Sequence, residues 1–321
     1  MSKLRIGVMG CADIAWRAMI PAMMECEDVF LVAIASRTEE KARKFADRFK
    51  CNAFVSYEKL LDRDDIDAVY MPLPTGLHEE WVLKTLEAGK HILVEKSFAE
   101  NIRSARAMVD LAREKKLLVL ENFLFPHHLQ HAWVNDLIAR GDLGDIHLLR
   151  CTFGFPPLPR NNFRYDRHLG GGALLDAGAY VVKASQLFLG SDLKILGANL
   201  KYDDDLGVDI YGDAMFKNNM EQIAQVSFGF NYYYQCNYEL LGTKGKLVVE
   251  RAFTAAPGFR PTVRLEHQDL KQEFTLAADN HYVNMCRFFA RTVRNGEDFQ
   301  VHWDSLISQA KLLDAIRKES V

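Results

Sequence analysis

Short apolar runs separated by charged, helix-forming stretches fill the first 121 residues, and this rhythm constrains the fold more than any other feature of the chain. The runs cover residues 4–9, 30–35, 53–55, 68–71, 92–94 and 117–120. Several hold no polar residue, as strands buried on both faces do. The intervening stretches, to about Met24, at 39–49, at 56–61, to about Ala88 and at 101–115, have the spacing and charge of amphipathic helices. Strand and helix alternating in this way give a parallel sheet with right-handed crossovers. Ligands of such sheets bind at the carboxyl ends of the strands, so the residues just after each run are the functional candidates.

The first strand ends in Gly10-Cys11-Ala12-Asp13-Ile14-Ala15 and opens a helix. This is an imperfect dinucleotide fingerprint, G-x-A-x-x-A in place of G-x-G-x-x-G. Gly10 can make the tight turn. Ala12 places a methyl where backbone approaches a pyrophosphate, and Ala15 still allows close helix–strand packing. A plain strand–turn–helix is the alternative. The second strand ends in Ser36-Arg37 rather than in the acid that binds the ribose of NAD. A guanidinium suits a 2′-phosphate, so NADP(H) is the expected cofactor, with NAD(H) as the alternative and a solvated Arg37 as the plain reading. Pro72-Leu73-Pro74-Thr75 forms a rigid loop after the fourth strand and leads to His78. The run His91-Ile92-Leu93-Val94 ends in Glu95-Lys96-Ser97. A lysine there either closes a strand at the surface, as most lysines do, or reaches into an active site.

From about Asn122 the rhythm changes. His127 and His131 stand at i, i+4, as metal ligands would, but no third ligand is evident and zinc needs three or four. No metal is expected, and the histidines read as residues facing a substrate pocket. Residues 145–155 alternate like a strand, followed by a proline-punctuated loop with Arg160, Arg164 and Asp166. Gly170-Gly171-Gly172 precedes a helix in which Asp176 and Tyr180 share a face at i, i+4. Asp176 could equally be a first-turn dipole residue, and Tyr180 a core tyrosine partnered by it. Strands then follow one another at 195–202, 208–216, 222–230, 238–250 and 263–276, with helices at about 280–294 and 303–318. Consecutive strands imply a largely antiparallel sheet with helices on one face. Phe228, Phe230, Tyr232 and Tyr234 alternate along one strand, so an open apolar face is expected to form a subunit interface.

Composition closes off other classes. A net charge of -3, from 40 basic and 43 acidic side chains, gives no footprint for nucleic acid or an anionic membrane surface. No run is long enough to span a bilayer. Six scattered cysteines with no C-x-x-C read as the reduced thiols of a cytoplasmic protein.

Residues 5–122 resemble the nucleotide domain of the Gfo/Idh/MocA oxidoreductases. The resemblance rests on residues 7–15, Pro21-Ala22, the Pro72-to-His78 loop, residues 86–91 and, most specifically, Glu95-Lys96-Ser97-Phe98-Ala99, where Ser97 stands for the proline of the family's E-K-P signature. Asp176-Ala177-Gly178-Ala179-Tyr180 is similar to its D-x-G-x-H/Y motif, and residues 155–176 are similar to the nucleotide-sugar C-3 ketoreductases of deoxysugar pathways, the kijanose-pathway type among them. The resemblance implies an α/β Rossmann domain (1–121) plus an α+β domain with an open, mostly antiparallel sheet (122–321) for substrate and oligomerisation. It implies Lys96, Tyr180 and Asp176 as the catalytic set. Around the cofactor it implies Gly10, Ala12, Asp13, Ile14, Ser36, Arg37, Leu73, His78, Glu95, Lys96, Arg164 and Asp176. The expected reaction is NADP(H)-dependent reduction of a C-3 ketone on a nucleotide-linked deoxysugar by a homodimer or homotetramer. Tyr180 gives the proton and Lys96 stabilises the alkoxide. Lys183, one turn on, either tunes Tyr180 or points to solvent. The alternatives are an NADP-dependent dehydrogenase of free aldoses, polyols or dihydrodiols, and a dinucleotide sensor without turnover.

Overall fold

A computed structural model describes residues 2–296 and 298–320. The chain forms two compact units: the residues up to Asn122 together with Tyr282–Ile307, and Phe123–His281 together with the segment from Ser308 onward.

In the first unit six parallel strands, β1 (Leu4–Met9), β2 (Val29–Ala35), β3 (Asn52–Phe54), β4 (Ala68–Met71), β5 (His91–Val94) and β6 (Val119–Glu121), lie in the order β3-β2-β1-β4-β5-β6. This is the doubly wound order, and its switch point falls between β1 and β4. The helices are α1 (Ile20–Glu25), α2 (Glu39–Phe49), α3 (Tyr57–Leu61), α4 (His78–Glu87) and α5 (Ile102–Lys115). Their starts follow from sequence. Ser56 Oγ accepts the Lys59 N–H at 3.3 Å, and Asn101 Oδ1 accepts that of Ser104 at 3.0 Å. The helix after Gly10 is less regular than its spacing predicts: Ala15–Met19 winds as a π-turn before α1 begins.

The second unit carries β7 (Ile146–Gly154), β8 (Lys194–Asp203), β9 (Val208–Lys217), β10 (Ile223–Gly229), β11 (Gln235–Gly242), β12 (Lys246–Val249), β13 (Thr262–His267) and β14 (Leu270–Thr275), in the order β14-β13-β12-β11-β7-β10-β9-β8. Every pairing is antiparallel except β7 with β10. One face is buried with α6 (Leu129–Ala139) and α7 (Ala179–Leu189); Phe153, Ala214, Val226, Phe228 and Leu240 point that way. The aromatic alternation misleads here. Phe228 and Phe230 are core residues, and Tyr232 and Tyr234 lie beyond the strand. The outer face is mixed, a trough lined by Arg150, Thr152, Asn199, Asp213 and Ser227 together with Gly197, Ala198 and the exposed Met215.

The histidines also differ from expectation. Phe125–His127 is a short 3-10 turn and α6 starts at Leu129, so His127 and His131 share no helical face. His131 is 1% exposed, between Tyr238 Oη at 3.0 Å and the Ala252 carbonyl at 2.8 Å, a core group rather than a pocket group. His128 and His281 stack edge-on at 5.7 Å. Burial pushes both His131 and His281 down from 6.5 to about 3, and lowers His128. Above 6.5 these rings are neutral in both folded and unfolded chains. As pH falls from 6.5 toward 3 only the unfolded chain takes up the protons, so stability is lost across that window. The urea midpoint is therefore expected to be lower at pH 5.0 than at pH 7.5; equal midpoints would refute this.

The last helices, α8 (His281–Asn295) and α9 (Gln300–Glu319), do not simply extend the second unit. The expected division into contiguous 1–121 and 122–321 differs from the units found, because Tyr282–Ile307 belongs with the first. Arg294 Nη1 donates to Asp28 Oδ1 at 2.8 Å, Trp303 Nε1 to the Leu117 carbonyl at 3.2 Å, and Arg113 to Asp304 at 3.0 Å.

Candidate active site

At the switch point, Gly10 takes φ +121°, closed to residues with a side chain, and a Cβ there would meet Leu73 Cδ2 at 2.9 Å. The β1 turn and the Pro72-Leu73 loop thus touch through a bare backbone. Ala12 and Ile14 are partly exposed in the turn that follows, with the Ala12 carbonyl accepting from Trp16 N–H at 3.1 Å. Asp13 is exposed and pairs with Arg17 at 2.6 Å, which offsets a negative charge where an anion would bind.

At the end of β2, Ser36 is buried and its hydroxyl accepts the Thr38 N–H at 3.3 Å, while Arg37 is exposed and its charge reaches the Tyr57 hydroxyl. Lys41 lies nearby, its carbonyl 3.7 Å from Cys11 Sγ. A serine hydroxyl and a guanidinium at one strand end, with the charge of Lys41 reaching the neighbouring Cys11, form a set that fits a phosphate monoester.

His78 is fully buried. Its Nε2 stands 2.8 Å from the Leu73 carbonyl and its Nδ1 3.0 and 3.1 Å from those of Ser97 and Phe98. Its ring therefore ties the β4 loop to the segment after Lys96 and presents no free edge to a ligand, contrary to the cofactor-binding expectation.

Glu95 and Lys96 follow β5, with the Glu95 N–H on the Met71 carbonyl at 3.1 Å. Glu95 Oε1 accepts from Tyr70 Oη and Asn122 Nδ2, each at 2.7 Å. Burial pushes this carboxyl above the usual range, against the pull of both donors and of the Lys96 charge. The Lys96–Ser97 peptide is cis, and Glu121 accepts the Phe98 N–H at 2.8 Å. Lys96 is partly exposed at the strand end where such sheets bind ligands.

In the second unit Leu174–Gly178 is a π-turn that runs directly into α7. Asp176 and Tyr180 therefore do not share a regular α-helical face. Arg164 Nε donates to Asp176 Oδ2 at 2.7 Å. The Arg164 backbone is bound to the glycines, its carbonyl accepting the Gly172 N–H at 2.8 Å. The Tyr180 ring lies among Phe123, Phe125, Phe153 and Phe253 at centroid distances of 5.4, 6.1, 4.9 and 5.6 Å. Each such pair contributes about 0.5–1.5 kcal/mol beyond area burial, enough together to fix the ring and aim its hydroxyl. Lys183 stacks on Phe123 at 5.7 Å. Among the described residues no group of His, Cys, Asp and Glu has metal-site geometry.

Residues 4–123 match the oxidoreductase family with an NAD-binding Rossmann fold, and residues 131–248 match the Gfo/Idh/MocA C-terminal domain. A dTDP-3,4-didehydro-2,6-dideoxy-alpha-D-glucose 3-reductase of Saccharopolyspora spinosa is 43% identical over 98% of this chain and 96% of its own. The chain belongs to the Gfo/Idh/MocA oxidoreductase family. A 3-ketoreductase from Actinomadura kijaniata, solved with NADP and TDP-benzene, superposes with a TM-score of 0.96 at 40% identity, over 99% of this chain and 98% of that one. A D-xylose 1-dehydrogenase (NADP(+)) of Haloferax volcanii is 30% identical over 98% of this chain and 96% of its own.

As a member of this family the chain is an oxidoreductase. Sequence reading named its signature lysine and the Asp176 motif, but not Tyr70 and Asn122 beneath Glu95, Lys41 and Tyr57 beside Arg37, or the buried Asp209 that holds the Leu174 N–H at 2.5 Å. Asp209 left one signal, an acid at the start of an apolar strand.

Proposed function

We propose that this chain reduces the C-3 ketone of a dTDP-linked 2,6-dideoxysugar with NADPH. What carries the reading is end-to-end similarity to a 3-reductase, at 43% identity, in a chain that keeps Lys96 after β5, the Arg164–Asp176 pair and the caged Tyr180. Gly10, Ala12 and Ile14 would hold the pyrophosphate, and Ser36, Arg37 and Lys41 the 2′-phosphate. The bare Gly10 turn and the cationic end of β2 fit those groups. When bound, NADPH supplies the hydride. As it arrives at C-3, the carbonyl π pair becomes an alkoxide lone pair. Tyr180 delivers its hydroxyl proton to that oxygen, and the Lys96 ammonium stabilises the charge before transfer. Solvent restores the tyrosine proton. Asp176, fixed by Arg164, orients the sugar.

The same reading takes a homodimer or homotetramer through the outer face of the second sheet, where Arg150 pairs with Glu239 at 3.1 Å and Lys246 with Glu266 at 3.1 Å, a charge ladder that a second copy can complement. It also places the chain in the cytoplasm, where its six cysteines, all free, stay reduced. No helix among the described residues is long and apolar enough to cross a membrane.

The test is NADPH consumption with a freshly generated dTDP-3-keto-6-deoxysugar, NADH alongside, with light scattering for the mass. Turnover preferring NADPH is the expected result. A second reading, oxidation of free aldoses with NADP+, draws on the xylose dehydrogenase similarity; NADP+ reduction by xylose without turnover of the nucleotide sugar would replace the first reading with it.

A further inference from the structure

We infer that Asp209 is a positioning residue, its carboxylate setting where Asp176 and Tyr180 stand by holding the start of the turn that carries them. The inference rests on the function proposed above. Asp209 is the second residue of β9, opposite Tyr202 of β8, and is 5% exposed. Its Oδ2 accepts the Leu174 N–H at 2.5 Å, and the neighbouring Ala173 N–H helps to hold the charge of the carboxylate.

These are the leading N–H groups of the π-turn, which have no partner within a helix. Ala173 and Leu174 are both fully buried, so water cannot take the place of the carboxylate. Gly172, with φ +117°, lies so close that a Cβ on it would run into the Asp209 carboxylate. The other charged or titratable groups facing Asp209 are Arg317 from α9 and Tyr202 from β8.

Downstream the path is short. The Asp176 N–H bonds the Gly172 carbonyl at 3.2 Å, the Gly172 N–H bonds the Arg164 carbonyl at 2.8 Å, and Arg164 Nε returns to Asp176 Oδ2 at 2.7 Å. Asp209 thus anchors a closed ring of hydrogen bonds whose far side is Asp176. Tyr180 enters α7 directly from the same turn. The residue touches neither reacting atoms nor cofactor; it acts through the backbone.

The test is Asp209→Asn, which keeps the shape and one acceptor oxygen, with Gly172→Ala as a second way to disturb the same contact. In both, kcat with the sugar ketone falls about 100-fold, the order expected for misplacing reacting groups by about 1 Å, while sugar KM and NADPH Kd stay within about two-fold of the parent. In a crystal structure of Asp209→Asn the Arg164–Asp176 pair is displaced. Parental kcat in both folded variants overturns the inference. So does a kcat loss accompanied by a collapse of melting temperature and NADPH affinity, which marks the carboxylate as scaffold only. Should the parent itself fail to reduce the sugar ketone, the functional reading fails instead. The crystal structure then decides alone: an Arg164–Asp176 pair superposable on the parent's overturns the inference, and a displaced one supports it.

Discussion

Lys96→Ala lowers turnover of the sugar ketone by about four orders of magnitude and leaves NADPH binding measurable by nicotinamide fluorescence. The size follows from two roles carried by one ammonium. In the proposed mechanism it faces the oxygen on which negative charge develops, and it lowers the cost of proton transfer to that oxygen. The position is rigid: Glu95, directly before it, is fixed by Tyr70 and Asn122, each at 2.7 Å, and the segment after it by His78 on the carbonyls of Ser97 and Phe98. Alanine removes the charge and leaves this frame standing. Tyr180→Phe is the sharper comparison, since it keeps the ring in its aromatic surround and deletes one hydroxyl. Its expected loss is about 100-fold, the lower end for a general acid. A Lys96→Ala protein with the parental rate would end the assignment of Lys96. A Tyr180→Phe protein with the parental rate would move the proton donor to Lys96.

Arg37→Asp reverses the cofactor preference. The guanidinium is exposed at the end of β2, next in sequence to Ser36 and near Tyr57. Hydrogen bonds to a charged partner contribute about 1.5–3 kcal/mol each. At 1.36 kcal/mol per tenfold step, losing even one strong pair weakens NADPH by about 10- to 150-fold. The new carboxylate repels the 2′-phosphate and accepts the ribose hydroxyls of NADH. The ratio of NADPH to NADH dissociation constants is therefore expected to shift by about three orders of magnitude. Titration of both cofactors reads it directly, and an unchanged ratio would show that Arg37 does not read the phosphate.

The first unit was legible because its central strands are buried on both faces. Apolar runs such as Ile92-Leu93-Val94 and Ala68-Val69-Tyr70-Met71 have few alternatives, and their order fixes which loops lie at the ligand edge. Lys96 was legible for the same reason. Asp176 and Tyr180 were legible as a pair, but not their geometry: a π-turn differs from an α-turn by one hydrogen-bond step, and nothing in Leu174–Gly178 spells that out. His131 was misplaced because i, i+4 spacing presupposes a helix that begins two residues later than expected. Phe228 and Phe230 were assigned to the wrong face because alternation gives two faces without saying which is inside; the core took both, and Arg150, Gln225 and Glu239 stand on the other side. Asp209 left only an acid at the start of an apolar strand as a sign, because its partner is a backbone N–H, which no side-chain pattern records.

The return of Tyr282–Ile307 to the first unit bears on how the protein is made. A ribosome releases β1 to β6 early, yet Asp28 waits for Arg294, and the Leu117 carbonyl for Trp303. The dinucleotide half is begun first and finished among the last. A gene fragment cut after Asn122 would encode the six strands without the parts of α8 and α9 that complete the unit.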